Sequence, residues 1–153
     1  MFMPDPTDSE LLSATDTRSF ELFYRRNFEA ILGFFARRTR DPELAADLTA
    51  ETFAAALTAR RRYRPGQGHA DSWLFSIAYH KLADAQRRGA AEDRARASVE
   101  QLAPEQRDAI TAHVVRERSY ADIARSTRTS EAVVRKRVSR GLATLRKRMG
   151  ATP

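Results

Sequence analysis

The chain has no cysteine. That excludes a disulfide framework, a thiolate-bound zinc site and a cysteine nucleophile. It also lacks any apolar run near the roughly 18 residues needed to span a bilayer. Met1 to Ser13 carries no basic segment followed by an apolar one, so no signal peptide is expected there. No stretch alternates apolar and polar residues at period two, which argues against a sheet, and no internal repeat is visible. A soluble cytoplasmic protein of a reducing compartment, without membrane insertion, is the simple expectation. Acidic charge is scarce: 20 Asp and Glu stand against 27 Lys and Arg, for a net charge of +7 and a pI near 10.5. Such a surplus points to a nucleic-acid partner or, on charge alone, to nothing more than a solvated surface. Most of it is arginine, which suits bidentate contacts to phosphate and guanine better than lysine does.

What is present has helical period almost throughout. Over Phe20–Arg38 the apolar residues Phe20, Phe23, Tyr24, Phe28, Ile31, Leu32 and Phe35 recur at three- and four-residue steps and predict one broad buried face. Asp41-Pro42 is a helix start, an acceptor cap followed by proline at the first helical position. The helix it opens carries Leu44, Leu48, Phe53 and Leu57 to about Arg60. Arg64-Pro65-Gly66-Gln67-Gly68 reads as a loop. A third helix follows with Trp73, Leu74, Ile77, Ala78, Leu82 and Ala85 inward, ending at Arg87-Arg88-Gly89. At 153 residues there is room for one ordinary domain or two small ones. Residues 89–98 hold many charges and no large apolar side chain, so they are read as a linker between a domain at 15–88 and another at 99–150. About ten residues reach at most about 35 Å when extended. Being rich in Ala, Glu and Arg, the segment also suits a helix.

The second domain opens near Pro104 on Ala109, Ile110 and Val114. It continues with Ser119-Tyr120-Ala121-Asp122-Ile123-Ala124, a polar break, and Ser130 to Arg140. This is the pattern of a helix-turn-helix, whose second helix enters the major groove of B-DNA. Val134, Val138, Leu142, Leu145 and Met149 are expected to pack inward. Arg135, Lys136, Ser139 and Arg140 then point outward, where base edges would lie, and arginine to guanine is the commonest specific contact. Arg137 and Arg128 are better placed for phosphates, and the helix start at Ser119 and Tyr120 offers backbone N–H groups to another.

These motifs together resemble the extracytoplasmic-function (group 4) sigma factors of bacterial RNA polymerase. The likeness rests on Asp47-Leu48-Thr49-Ala50-Glu51-Thr52-Phe53, Tyr63-Arg64-Pro65-Gly66, Trp73-Leu74-Phe75-Ser76-Ile77-Ala78, Leu102-Ala103-Pro104-Glu105-Gln106-Arg107 and Ser119-Tyr120-Ala121-Asp122-Ile123-Ala124, in one order over Phe20 to Arg148. It implies an all-α fold of two small helical domains, a region 2-like three- or four-helix bundle and a region 4-like helix-turn-helix. It implies core-polymerase binding, to β′ and β, through Asp47, Leu48, Glu51 and Phe53. Contact with the −10 promoter element falls to Arg61, Arg62, Tyr63, Arg64, Gly66 and His80, and contact with the −35 element to the helix-turn-helix residues named above. An anti-sigma factor is a further expected partner, and no cofactor or metal is expected.

The residues support this independently. Asp47 and Glu51 lie one helical turn apart beside Ala50 and Ala54, a small-residue acidic surface that a basic helix can approach, or else an acidic solvated face. The arginines and Tyr63 of the loop supply the basic groups and planar surface that single-stranded DNA needs, and Gly66 and Gly68 let the backbone approach closely. The chain departs from the family pattern at Ala50, usually Gln, and at His80, often Asn and tied to −10 specificity. His80 is either a base contact with an altered preference or an exposed residue of no special role. Arg128 stands where the turn usually has Gly, so a non-glycine residue must go left-handed at a cost of order 1 kcal/mol. His69 and His113 carry no ligand spacing.

Three other readings compete. A one-component helix-turn-helix regulator would need an apolar sensing pocket or a dimer interface in the first domain. An enzyme would rely on Glu51 with Asp47 or His80 with Asp84, both routine helix-surface spacings. A polymerase-binding adaptor would not keep the Arg135–Arg140 surface.

Overall fold

Short polar side chains mark the helix starts by satisfying the first free amides. The computed structural model describes residues 3–150. Among them run α1 (Asp8–Ser13), α2 (Thr17–Thr39), α3 (Pro42–Ala59), α4 (Ala70–Glu100), α5 (Pro104–Ile110), α6 (Tyr120–Thr127) and α7 (Glu131–Gly150), with no strand. Single 3-10 turns occupy Arg60–Arg62 and Pro65–Gln67, and a π turn occupies Thr111–Val115. The all-helical class expected from the sequence is the one observed. Thr7 and Glu10 form a reciprocal capping box on α1: the Glu10 amide donates to Thr7 Oγ1 (3.3 Å) and the Thr7 amide to Glu10 Oε2 (2.7 Å). The Asp16 carboxylate accepts from the Ser19 amide at 2.8 Å and caps α2. Asp41 accepts from the amides of Glu43 and Leu44 and caps α3, with Pro42 in its first turn as the sequence predicts. Bonds to the Thr7 backbone hold the Glu10 carboxyl below its ordinary pKa. The Ser19 hydroxyl and amide do the same for Asp16.

The chain divides into two compact units, residues 1–87 and 88–153. The first is built on phenylalanine. Phe20, Phe23, Ile31, Phe34 and Phe35 of α2 are buried with Leu48 and Phe53 of α3 and with Leu74, Ala78 and Leu82 of α4. Small residues line the inner side of α3. Ala45, Thr49, Thr52 and Ala56 are buried, and both threonine hydroxyls donate back to the carbonyl four residues earlier, at 2.7 Å. Phe34 escapes the predicted stripe yet is buried, because Phe75 and Tyr79 of α4 meet its ring edge-on at 5.6 and 4.9 Å and the Arg38 guanidinium covers it at 3.9 Å. Tyr24 and Leu57, expected inside, are exposed at the margins. Residues ahead of position 15 also belong to this core: α1 buries Leu11 and Leu12, which no periodicity argument had included.

The expected end of the third helix at Gly89 is corrected. Helix α4 continues through residues 89–98 to Glu100. One interior glycine costs about 1 kcal/mol, while the following Ala, Glu and Arg are strong helix formers and no proline lies between Gly89 and Pro104.

The second unit has a smaller core of Leu102, Ala109, Ile110, Ile123, Ala124, Val134 and Val138. Two predicted inward residues of α7, Leu142 and Met149, are exposed. The buried stripe runs instead through Val134, Val138 and Gly141 to the half-buried Leu145. A Cβ on Gly141 would stand 2.4 Å from Ile110 Cδ1, so glycine lets α5 and α7 approach and the inward face turns through it. Val114 is likewise exposed, not inward. It lies in the π turn, where the Arg116 amide reaches back five residues to the Thr111 carbonyl and shifts the helical register.

Candidate nucleic-acid interface

On α3, Asp47 and Glu51 are exposed beside Ala50 and Ala54. Leu48 and Phe53 are 0% and 4% exposed, so these two residues are core, not partner contacts. The acidic face that remains is two carboxylates one turn apart on a small-residue surface.

The loop between α3 and α4 is tied down from within its own unit. The Arg60 guanidinium turns back to donate to the carbonyls of Thr15 (2.8 Å) and Asp16 (3.3 Å). Arg61, Arg62 and Arg64 are exposed, and Arg64 donates to the Arg61 carbonyl at 3.1 Å. Tyr63 is not the exposed stacking surface that the sequence suggested. It is 6% exposed, packs on Trp73 with ring centroids 5.4 Å apart, and pairs its hydroxyl with Ser9 Oγ at 2.5 Å. The ring forms the wall of an open cavity of about 300 Å³, lined by Arg62, Tyr63, Arg64, Gln67, Gly68, His69, Ser72 and Trp73. Trp73 is half-buried, consistent with the mainly structural place expected for it. His69, which had no predicted role, is on the lining. Only Gly68 requires glycine, at φ 143°, whereas a Cβ on Gly66 would meet open space.

His80 projects from α4 into solvent. Its Nδ1 lies 2.7 Å from the Ser76 carbonyl. A carbonyl only accepts, so Nδ1 donates in this bond and Nε2 is the ring nitrogen left for an outside partner. Asparagine would offer both a donor and an acceptor.

In the second unit Ser119 caps α6. Its Oγ accepts from the Asp122 amide at 3.1 Å and donates to Asp122 Oδ2 at 2.7 Å. The Ser119 hydroxyl and then the neighbouring Arg125 guanidinium hold the Asp122 carboxyl below its ordinary range. Helix α6 ends on Arg128 at φ 54°, ψ 43°, the left-handed conformation expected where other turns carry glycine. The Thr129 amide then bonds the Ala124 carbonyl at 3.0 Å, closing the turn. Beyond it, α7 buries Val134 and Val138 and leaves Arg135, Lys136, Ser139 and Arg140 exposed, with Arg137 half-buried. The Arg135 guanidinium lies 5.0 Å from the Tyr120 ring and 3.5 Å from the Glu131 carboxylate. Tyr120 in turn stacks on His113 at 4.1 Å. Sequence reasoning missed the part these two rings play: they brace a basic side chain of α7.

Among the described residues no group of His, Cys, Asp and Glu is placed to hold a metal ion, and no helix is long and apolar enough to cross a membrane.

One unit thus carries an open cavity walled by the loop and an acidic face on α3, and the other carries an arginine-ridged helix after a tight turn, an arrangement suited to touching nucleic acid at two places. Family comparison agrees. The Sigma-70 region 2 model matches residues 23–92 and the Sigma-70, region 4 model matches residues 92–145. The chain belongs to the sigma-70 family, in its extracytoplasmic-function branch. It is 37% identical to RNA polymerase sigma factor YlaC of Bacillus subtilis (strain 168) over 70 residues, 46% of this chain and 40% of that protein. It is 29% identical to RNA polymerase sigma factor CarQ of Myxococcus xanthus over 157 aligned positions, 86% of this chain and 90% of that one. Among solved structures, it overlays on a chain of an RsbN–BldN complex with a TM-score of 0.45 and 24% identity, covering 91% and 97% of the two chains.

Proposed function

We propose that this protein directs bacterial RNA polymerase to specific promoters in the cytoplasm. It docks on the core enzyme, chiefly β′, through Asp47 and Glu51 of α3. Residues 15–88 capture and help melt the −10 element with the loop arginines, Gly68 and His80. Residues 99–150 read the −35 element with Arg135, Lys136, Ser139 and Arg140, while Arg128, Arg137 and the capped start of α6 hold phosphates. It acts by binding and not as an enzyme, and an anti-sigma factor is a natural antagonist for such a chain. The observation that carries the reading is α7 itself. Four polar or cationic side chains face solvent on one side while Val134 and Val138 anchor the other, as major-groove readout requires.

A ligand-sensing regulator gains no support. The cavity at the loop is open and carries Arg62 and Arg64, and another along α1 and α2 mixes Leu11 and Leu22 with the charged Asp16, Arg18, Glu21 and Arg25. Transcription in vitro with purified core polymerase on genomic fragments tests the proposal. Transcripts that depend on this protein and share −10 and −35 sequences are expected. Their absence on every template would overturn it.

A further inference from the structure

Helix α1 has six residues, and its position is unusually well tied. Leu11 and Leu12 are buried beneath it. Asn27 Nδ2 donates to Asp8 Oδ2 at 2.9 Å, and Arg26 donates to the Pro6 carbonyl at 2.6 Å. On the opposite margin Ser9 Oγ meets the Tyr63 hydroxyl, 54 positions along the chain, at 2.5 Å. The same phenol lies 3.3 Å from the Gly68 carbonyl. Only the phenol can donate to a carbonyl, which leaves its oxygen to accept from Ser9. The result is a chain of hydrogen bonds from α1 through Tyr63 to Gly68, the residue whose φ of 143° shapes the far side of the loop. Tyr63 and Gly68 both line the 300 Å³ cavity.

The loop has few bonds of its own. The Tyr63 amide reaches the Arg60 carbonyl and the Gln67 amide reaches the Arg64 carbonyl, each across a single turn. A segment with so little internal pairing opens easily, and ordering it on binding would cost affinity. Cross-links to a packed helix remove that cost in advance, and they also fix the width of the cavity.

We infer that α1 is a positioning element for the loop and that Ser9 is a positioning residue whose bond to Tyr63 sets which base the cavity prefers. This rests on the proposal that the loop contacts the −10 element. Ser9 touches no DNA. It acts through the Tyr63 ring, which can slide or tilt against Trp73 once the hydroxyl is free, and through Gly68, whose carbonyl loses its donor when the ring moves.

The test uses the full chain, alone and with core polymerase. Ser9→Ala and Tyr63→Phe each remove one hydroxyl while keeping the packing. Ser9→Thr keeps the hydroxyl. Transcription from a library randomised at the −10 bases is expected to lose two- to tenfold in discrimination at one position in both single variants, the range one hydrogen bond spans. The double variant should be no worse than Tyr63→Phe alone, because that change already breaks the bond that Ser9→Ala removes, together with the phenol's bond to Gly68. Ser9→Thr should restore the preference, and affinity for −35 duplex should not change. Amide exchange at Gln67 and Gly68, measured without DNA, should quicken in both single variants. A role confined to folding would instead lower activity on all bases alike, add in the double variant, and overturn the inference. Unchanged exchange at Gln67 and Gly68 would overturn the latch whatever the promoter result. If exchange quickens and Arg64→Ala shifts −10 preference but Ser9→Ala does not, the loop reading survives and the positioning role fails. If no loop variant, Arg64→Ala and Gly68→Ala included, shifts −10 preference, the loop reading itself fails and takes the inference with it.

Discussion

The two units hold their working residues in opposite ways. All eight phenylalanines of the chain lie before residue 88, and the unit built on Phe20, Phe23, Phe34, Phe35 and Phe53 carries its cavity on a loop. The second unit has no phenylalanine and a core of Val, Ile, Leu and Ala, yet its polar ridge sits on a helix. A helix orients side chains by its own period, so a modest core is enough to aim Arg135 and Arg140. A loop has no such register. Its residues need anchoring from elsewhere, which here comes from α1, Arg60 and the aromatic core. Precision in the first unit is therefore a tertiary property, and in the second it is mostly a local one.

The sharpest separation of the two units is expected from charge reversal on α3. Asp47→Arg combined with Glu51→Arg should abolish binding to core polymerase while helix content and −35 affinity stay as they were, because both side chains are exposed. An unchanged pull-down of β′ would remove the docking role from this face. Core truncation should come next. Phe23→Ala, at a fully buried site, should cost about 3–5 kcal/mol, read through the single tryptophan, Trp73, which reports on the first unit alone. In the second unit Gly141→Ala should cost about 1–3 kcal/mol by overpacking against Ile110 and weaken −35 binding with it. Gly66→Ala, facing open space, should cost under 1 kcal/mol. Equal effects of the two glycine changes would mean that α5 and α7 are not in close contact.

Base readout follows at the level of single side chains. Arg135→Ala or Arg140→Ala should each cost about 1–3 kcal/mol at one −35 position and relax preference there. Arg128→Ala should weaken all sequences alike and flatten the salt dependence. Uniform losses on specific and random duplexes for all three would reassign the ridge to phosphates. The smallest effect concerns acid. The Asp122 pKa is lowered in the folded state, from an ordinary value of 3.8. The contribution of this cap is therefore complete above that value and is lost as pH falls through the lowered one. Helix content of the second unit should decline more steeply below about pH 4 in the parent than in Asp122→Asn, as followed by circular dichroism. Identical acid profiles would show that the cap contributes nothing.

Much of the architecture follows from local rules. The caps at Asp41 and Ser119, the helical period of α2 and the outward ridge of α7 all rest on interactions within a few residues. The strained turn at Arg128 does as well. The Thr7–Glu10 capping box was legible in the same way, since a threonine three residues before a glutamate is a recognised helix start, and it would have revealed α1. What periodicity cannot weigh is a residue without a side chain or one that is covered by a distant element. Gly141 turned the inward face of α7 away from Leu142 because hydrophobic patterns do not score a missing Cβ. Phe34 is buried only because α4 brings Phe75 and Tyr79 over it. Leu48 and Phe53 share a motif with Asp47 and Glu51, but helical rotation sends one pair to the core and the other to solvent. Tyr63 looked like a stacking surface until Ser9 and Trp73 enclosed it. The sequence by itself determined where helices begin, which of them are basic and which acidic, and that there are two working parts. Tertiary structure decided which members of each motif reach the surface, because burial depends on what the rest of the chain brings alongside.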